Sequence, residues 1–377
     1  MEFASLDALA SFGVGHAHDE SAGTGCTVVV APRGAVCGVD VRGGGPATRE
    51  TDLLKPENMV ESVHAVVLAG GSAFGLEASC GVMDVLSEEG IGFRLGGACI
   101  PIVTGACLFD VLVGENAHPD KAMGAAAARK ALDACVRNAG LGTCSCGVGE
   151  ERPKEKPGKA NSASFACGVK DEGREAQAFA LEQGNVGAGC GATVGKLGLP
   201  RQAMKSGFGY SCLRQGGAVV AALVAVNALG NVCDRSGSWL AGCQTDGRIL
   251  DPFEVFFATN PTGGESATGD RKAEGDESER GGITQNTTIG VVLTNAKLTK
   301  AQATKVSSTT HDAYARAIKP VHTSNDGDTI FTFASGEVES STDMVAIMAA
   351  EAMQQAIENA VSHAKGAYGL PAAREIR

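Results

Sequence analysis

An abrupt change in composition near residue 286 constrains the fold of this chain more than any other feature. Residues 261–285 are rich in glycine, acidic and basic residues and contain almost nothing that a core could bury. Segments of this kind stay exposed and flexible. The run Ile289–Thr294 that follows is apolar and β-branched, which is typical of a buried strand. The sequence therefore predicts a flexible linker over 261–285 that ends where a buried strand begins.

Asn286 and Thr287 lie at this junction. A threonine that follows a cleavable bond and precedes a strand is a candidate N-terminal nucleophile. After cleavage its own α-amine, with an ordinary pKa of about 7.7–8.0, can accept the hydroxyl proton. By position alone, an ordinary strand start after a turn is the more common explanation of Asn-Thr-Thr. The junction by itself leaves both interpretations open.

A second candidate feature is the pair of carboxylates in Asn325-Asp326-Gly327-Asp328. In an extended segment the side chains of Asp326 and Asp328 point to the same side. Each then raises the pKa of the other unless a cation lies between them. The α-ammonium of Thr287, a lysine or an amine substrate could be this cation. The alternatives are a polar turn, which the pattern alone favours, and a calcium-type loop, which lacks further acidic ligands at the required spacing.

Two other polar residues follow apolar or glycine-rich segments. Asn227 ends the apolar run Ala218–Val226, so we expect its amide to be buried and hydrogen-bonded. That amide could donate to an oxyanion or equally cap a neighbouring turn. Lys196 follows the glycine-rich segment Gly184–Gly195. It could lower the proton affinity of the Thr287 hydroxyl, although a solvated lysine at a helix end is the more common case.

Several classes of partner are disfavoured. The net charge of −11 argues against nucleic acids, and no apolar run reaches the roughly 18 residues of a membrane span. No His-Glu-x-x-His spacing occurs, and Cys144-Ser145-Cys146 has no second cysteine pair at zinc spacing. The loops Gly70–Ser72 and Gly184–Gly195 miss the dinucleotide and P-loop fingerprints, so we interpret them as tight turns near an active site. We therefore expect no metal and no cofactor.

The start of the chain and its cysteines indicate the compartment. Residues Met1–Ser5 contain no basic region followed by an apolar core, so we expect no export signal. The 13 cysteines are scattered among small apolar residues, which is typical of reduced, buried thiols. We therefore expect a cytoplasmic protein.

Periodicity predicts a layered α/β chain rather than a strict β-α-β alternation. We expect a strand–turn–strand around Pro32-Arg33-Gly34, a helix capped by Ser72, and an exposed loop over 140–161. The other predicted strands are 63–68, 218–226, 287–294 and 329–334, and the other predicted helices are 119–139, 299–318 and 341–364.

Taken in order, these segments resemble the DmpA-like aminopeptidases. That family includes L-aminopeptidase/D-esterases, β-peptidyl aminopeptidases and nylon-oligomer hydrolases, and it is related to ornithine acetyltransferase. The ordered set is far more specific than any single motif. The matching motifs are Val14–Ala17, Gly38–Gly44, Thr48–Leu53, Leu68–Leu76, Gly184–Gly189, Gly191–Lys196, Ala225–Asn227, Asn286–Thr288 and Asp326–Asp328.

The resemblance implies a fold and a maturation step. The fold would be a four-layer αββα sandwich, with residues 1–377 forming one catalytic domain. Self-cleavage would divide the chain into an α chain, 1–286, and a β chain, 287–377, which stay together. Relatives assemble as tetramers, so the resemblance also implies a homotetramer of processed heterodimers.

The resemblance also assigns roles to the candidate residues. Thr287 is similar to the nucleophile of the family, Asn227 to its oxyanion-side asparagine and Lys196 to the lysine near the nucleophile. Asp326 and Asp328 are similar to the acidic pair beside the new amino terminus. A threonine nucleophile with two aspartates is similar to the nylon-oligomer branch, whereas the aminopeptidase branch commonly has serine. The long charged linker before Asn286 departs from the usual pattern and leaves its trimming open.

The function implied is hydrolysis of small peptides, β-peptides or aminohexanoate-type oligoamides by a self-cleaved N-terminal nucleophile. Two alternatives keep the fold. One is acyl transfer of the ornithine acetyltransferase type, which uses the same nucleophile with a different acceptor. The other is a ligand-binding protein that is never cleaved.

Overall fold

The computed structural model describes residues 1–138, 181–259 and 286–376. The predicted loop 140–161 and the predicted linker 261–285 lie outside these residues. The helices are α1 Ala78–Glu88, α2 Lys121–Asn138, α3 Pro252–Thr259, α4 Lys300–Ala317 and α5 Thr342–Ser362. The strands are β1 Glu2–Phe3, β2 Gly13–Asp19, β3 Thr24–Val41, β4 Ala47–Arg49, β5 Val63–Ala69, β6 Phe93–Leu95, β7 Ala98–Ile100, β8 Val103–Cys107, β9 Thr193–Val194, β10 Met204–Lys205, β11 Phe208–Gln215, β12 Ala218–Ala225, β13 Asn231–Cys233, β14 Trp239–Ala241, β15 Gln244–Thr245, β16 Arg248–Ile249, β17 Ile289–Ala296, β18 Ile318–Lys319 and β19 Thr329–Val338.

Two large sheets share the long strand β3. Its carboxyl-terminal part pairs with β19, and the order of this first sheet is β1-β11-β12-β17-β19-β3. Its amino-terminal part pairs with β2 and β5, and β8 and β4 complete the second sheet. The central strands β17 and β19 are parallel, with Ile289 opposite Thr329. This register places the start of β17 beside the Asp326–Asp328 segment.

Successive residues of the central strands face two different cores, and this alternation builds four layers. Leu223 and Phe333 of the first sheet pack with Val29 and Leu68 of the second to form the middle of the molecule. The opposite face of the first sheet, including Val224, packs against α4 and α5. The opposite face of the second sheet packs against α1 and α2. The order helix–sheet–sheet–helix confirms the predicted αββα sandwich.

Small residues let the outer helices approach the sheets closely. A Cβ at Gly209 of β11 would lie 2.1 Å from the carbonyl oxygen of Ala356 in α5, so only glycine fits there. Close packing of this kind suits a chain that is rich in glycine and has an aromatic content of only 5%. None of the helices in the described part of the chain has the length and apolar character that a membrane crossing requires.

Most predicted elements are confirmed, including the helices at 119–139, 299–318 and 341–364. Two local predictions are wrong. Pro32-Arg33-Gly34 does not divide two strands, because β3 runs continuously through it and only its register against β5 shifts, between Val30 and Ala35. A strand that passes from one sheet to the other at this point needs a bend but not a reversal.

Ser72 is not a helix N-cap. It has a φ of +54° and is the first residue of the short 3-10 helix Ser72–Glu77, and α1 begins only at Ala78. Its backbone N–H donates to the carbonyl of Leu108, 2.9 Å away. This tertiary contact holds the turn in a conformation that capping statistics do not anticipate.

Candidate active site

The peptide bond between Asn286 and Thr287 is buried, and each of its polar atoms is held. The carbonyl oxygen of Asn286 accepts a hydrogen bond from the N–H of Gly327 at 2.9 Å and another from the Thr287 hydroxyl at 2.6 Å. The N–H of Thr287 donates to the carbonyl of Asn227 at 3.0 Å, and the N–H of Asn286 donates to that of Asn325 at 3.0 Å. Thr287 is only 3% exposed. The hydroxyl, the carbonyl and a donor to that carbonyl therefore meet at one bond.

Gly327 can be only glycine in this arrangement. A Cβ there would lie 2.6 Å from the carbonyl oxygen of Gly45 and 2.8 Å from Oγ1 of Thr287. The N–H of Gly45 also donates to the carbonyl of Asp326 at 2.9 Å, and the N–H of Arg42 donates to that of Asp328 at 2.7 Å. The segment after β3 therefore clamps the turn that carries the Gly327 donor.

Asn227 contacts Thr287 through its backbone. Its side-chain Oδ1 accepts from Nζ of Lys196 at 2.6 Å and from the N–H of Thr193 at 3.1 Å. Its Nδ2 donates to the carbonyl of Phe109 at 2.8 Å. The amide that the sequence suggested as an oxyanion donor has two N–H groups, and the bond to Phe109 uses one of them.

Lys196 and Thr287, the candidate nucleophile, both donate to the backbone carbonyl of Asn227. Nζ of Lys196 is 3.5 Å from the carbonyl oxygen of Asn227, the same oxygen that accepts the N–H of Thr287. Lys196 is partly exposed as a whole residue, but protein surrounds its ammonium group, and this burial lowers the pKa of Lys196 to about 7. Near physiological pH, Lys196 is therefore present partly as the neutral amine, which can accept a proton.

Asp326 and Asp328 are both almost fully buried. Oδ2 of Asp326 accepts from the N–H of Thr323 at 2.6 Å, and Oδ1 of Asp328 accepts from the N–H of Thr288 at 2.7 Å. Burial, followed by the neighbouring Asp328, raises the pKa of Asp326. Among the described residues, neither carboxylate is hydrogen-bonded to Thr287 in the uncleaved chain.

The profile of peptidase family S58 matches residues 9–164 and 158–373. The chain belongs to this family. An uncharacterized aminopeptidase of Mycobacterium leprae is 37% identical over 347 residues, which cover 89% of this chain and 79% of the relative. A 6-aminohexanoate-oligomer endohydrolase of Paenarthrobacter ureafaciens is 29% identical over 333 residues, which cover 86% of this chain and 73% of the relative. These relatives confirm the resemblance to DmpA-like aminopeptidases and nylon-oligomer hydrolases.

Solved structures support the fold of this S58 protein. A β-aminopeptidase from Burkholderia sp. matches with a TM-score of 0.59 and 17% identity, over 98% of this chain and 89% of that structure. The L-aminopeptidase D-Ala-esterase/amidase from Ochrobactrum anthropi, described as a variant of the Ntn-hydrolase fold, matches with a TM-score of 0.58 and 15% identity, over 97% and 88%. At these identities the similarity establishes the architecture alone.

Near the candidate site, in the described part of this S58 protein, sequence reasoning missed the buried charged residues Lys205 and Asp110. Nζ of Lys205 donates to the carbonyls of Gly189 at 3.3 Å, Ala192 at 2.8 Å and Ser206 at 2.7 Å, and burial lowers the pKa of Lys205 to about 7. This lysine therefore holds the glycine-rich segment before Lys196. The signal available in the sequence was a lysine directly after an apolar residue, Met204.

Asp110 performs the same task for the first glycine loop. It accepts from the N–H of Gly71 at 2.6 Å and from Oγ1 of Thr24 at 3.1 Å. Burial raises the pKa of Asp110 to about 6. Both loops interpreted as tight turns are thus held by buried charges, and Phe109, next to Asp110, accepts the Asn227 amide.

Proposed function

We propose that this S58 protein cleaves itself between Asn286 and Thr287 and then hydrolyses amide bonds with the freed Thr287. The observation that carries this proposal is the geometry at the Asn286 carbonyl. The Thr287 hydroxyl lies 2.6 Å from its oxygen, and the N–H of Gly327 donates to the same oxygen. A buried peptide bond with an adjacent hydroxyl and a prepositioned donor is arranged for attack by that hydroxyl.

In the uncleaved chain, Thr287 Oγ1 attacks the carbonyl carbon of Asn286. The Gly327 N–H stabilises the negative charge that develops on the oxygen, and the carbon–nitrogen bond then breaks. The acyl group moves from nitrogen to oxygen, and water hydrolyses the resulting ester. The nitrogen of Thr287 is an amide at this stage and cannot act as a base. The neutral amine of Lys196, whose pKa of about 7 makes it available, takes the hydroxyl proton and then gives it to the nitrogen of Thr287 as the carbon–nitrogen bond breaks.

After cleavage the α-amine of Thr287 becomes the base. The carbonyl of Asn227 already accepts from this nitrogen and keeps it beside Oγ1. The hydroxyl attacks a substrate amide, and the protonated amine gives its proton to the leaving amine. The Gly327 N–H, released from the Asn286 carbonyl, would hold the oxyanion of the substrate. Water then hydrolyses the acyl ester and restores the hydroxyl.

The names of the relatives narrow the substrate class. They include aminopeptidases, a β-aminopeptidase and a 6-aminohexanoate-oligomer endohydrolase, and small amides with an amine in the acyl part are common to all of these names. We infer that this chain acts on short peptides, β-peptides or aminohexanoate-type oligoamides. A panel of aminoacyl anilides, β-peptides and aminohexanoate oligomers, with products identified by mass, tests the choice.

Amino-terminal sequencing and intact mass measurement of the purified protein test the cleavage itself. We expect two chains, 1–286 and 287–377, with the second sequence beginning Thr-Thr-Ile-Gly. Further trimming within 261–285 would shorten the first chain without moving the second start. An unbroken polypeptide in active material would contradict the proposal.

Gly327→Ala should slow self-cleavage by at least about 100-fold, the usual effect of losing an oxyanion donor. The new Cβ would lie within 3 Å of Gly45 and Thr287 atoms and would displace the donor. Gly97→Ala is the matched control, since a Cβ there meets nothing within 4 Å. The rate is measured by the appearance of the 287–377 chain after cell-free synthesis. Equal rates for the two variants would remove Gly327 from the mechanism.

A further inference from the structure

Asp328 bridges the strand that carries the nucleophile candidate and a histidine behind it. One carboxylate oxygen accepts from the N–H of Thr288 at 2.7 Å. The other lies 2.8 Å from Nδ1 of His322 and accepts from the backbone N–H of His322 at 3.3 Å. Asp328 is only 1% exposed, so these bonds form away from bulk water. The carboxylate thus has its orientation set from two sides.

The Thr288 side of this bridge fixes the backbone next to Thr287. The peptide unit between residues 287 and 288 is planar, so holding its N–H also holds the Cα of Thr287. The carbonyl of Thr288 accepts from the N–H of Thr329 at 3.1 Å. A rotation of this unit would move Oγ1 of Thr287 away from the Asn286 carbonyl. The position of the hydroxyl therefore depends on Asp328.

On the other side of the bridge, the bond to Asp328 is the one polar contact that the described residues provide for the His322 ring. The ring of His322 lies edge to face with that of His311, with centroids 4.8 Å apart, and is nearly parallel to that of Tyr314 at 6.1 Å. Its Nε2 is buried without a hydrogen-bond partner among the described residues. An ionised carboxylate only accepts, so a hydrogen bond from the His322 ring to such a group places the ring proton on Nδ1. The packing and this bond together set the ring.

The backbone of His322 is also unusual. Its φ is +58°, a left-handed conformation in which glycine or asparagine is expected. A histidine is present there although its sequence neighbourhood is a turn. The orientation that this φ gives the ring is the one that reaches Asp328.

We propose that His322 is a positioning residue: by donating from Nδ1 to Asp328 it fixes the carboxylate that holds the Thr288 N–H and thereby orients the Thr287 hydroxyl. This inference rests on the proposed function, because orientation of the hydroxyl matters only if that hydroxyl reacts. It assigns Asp328 a role through the backbone rather than through a contact with the substrate.

The test compares His322→Asn with His322→Leu and His322→Phe. Asparagine and leucine have similar size, but only asparagine keeps a donor, while phenylalanine keeps the ring packing against His311 and Tyr314. Asparagine also suits the left-handed backbone of residue 322 better than leucine or phenylalanine does, so the unfolding temperatures must separate backbone strain from loss of the donor. His118→Asn, at a partly exposed histidine next to Glu77, is the control for the substitution itself. Each chain is made by cell-free synthesis, and the release of 287–377 is timed. Thermal unfolding of each variant in a Thr287→Ala background shows whether it folds.

We expect the leucine and phenylalanine variants to cleave about 10–100-fold more slowly and the asparagine variant to stay within about threefold of the natural chain. A leucine variant that cleaves at the natural rate, or an asparagine variant as slow as leucine, would overturn the inference. If neither the leucine nor the phenylalanine variant folds, the asparagine rate decides: a rate within about threefold of the natural chain supports the inference, and a rate at least about tenfold slower overturns it. If the natural chain never cleaves, the proposed function is wrong. This result differs from the outcomes above, because the natural chain itself then releases no 287–377 chain.

Discussion

Thr287→Ala should leave the chain as a single full-length polypeptide with no hydrolytic activity. The substitution removes the one hydroxyl that lies 2.6 Å from the Asn286 carbonyl oxygen. Loss of a nucleophile commonly reduces rates by at least about 10³-fold. We expect no 287–377 chain on a denaturing gel after a time in which the natural chain is fully divided.

Thr287→Ser is the matched variant, because it removes a methyl group and keeps the hydroxyl. Its cleavage should remain within about tenfold of the natural rate. If Thr287→Ala still divides into the two expected chains, the nucleophile lies elsewhere. If Thr287→Ser is as inert as alanine while both variants fold, loss of the methyl group must displace the hydroxyl.

Lys196→Met should slow self-cleavage by about 10²–10⁴-fold, the usual contribution of a general base. Burial lowers the pKa of Lys196 to about 7, so the neutral amine becomes the main form above that pH. The cleavage rate of the natural chain should therefore rise about tenfold per pH unit below pH 7 and level off above it. Lys196→Arg, which stays protonated, should be inactive at every pH.

Lys205→Met is the matched control for this experiment. Burial lowers the pKa of Lys205 to about 7 as well, but its ammonium binds the carbonyls of Gly189, Ala192 and Ser206 and contacts neither Asn227 nor Thr287. Its loss should lower the unfolding temperature and leave the rise in cleavage rate near pH 7 in place. A pH profile that is lost in Lys205→Met and kept in Lys196→Met would reverse the assignment.

The strands and helices show how much of the fold the local sequence pattern predicts. The continuous apolar run of Ala218–Ala225 and the helical period of Thr342–Ser362 place both elements correctly. Their close approach also follows from the abundance of small residues. The course of β3 does not follow, because Pro32 and Gly34 are common in turns as well as in bends between sheets. Pairing with distant strands decides whether this segment forms a turn or a bend.

For the candidate site, too, the sequence alone determined some features and only the folded chain determined others. The sequence alone determined that a charged, glycine-rich segment is followed by an apolar run at Asn286 and Thr287, and that Asn227, Lys196, Asp326 and Asp328 belong to motifs shared with a hydrolase family. The reactive role of Thr287 stays a prediction until the chains are sequenced. Composition and order are local properties, and these statements depend on nothing else.

Only the tertiary structure decided which atoms meet. It brings the backbone of Asn227, rather than its amide, to Thr287, and it places Gly327 on the Asn286 carbonyl. It also connects Asp328 to His322 and encloses the ammonium end of Lys196. These contacts join segments far apart in the chain, and their distances depend on how two sheets and their helices pack. Periodicity within one segment carries no information about that packing. The sequence could therefore indicate which residues the site uses, but not how their atoms are arranged.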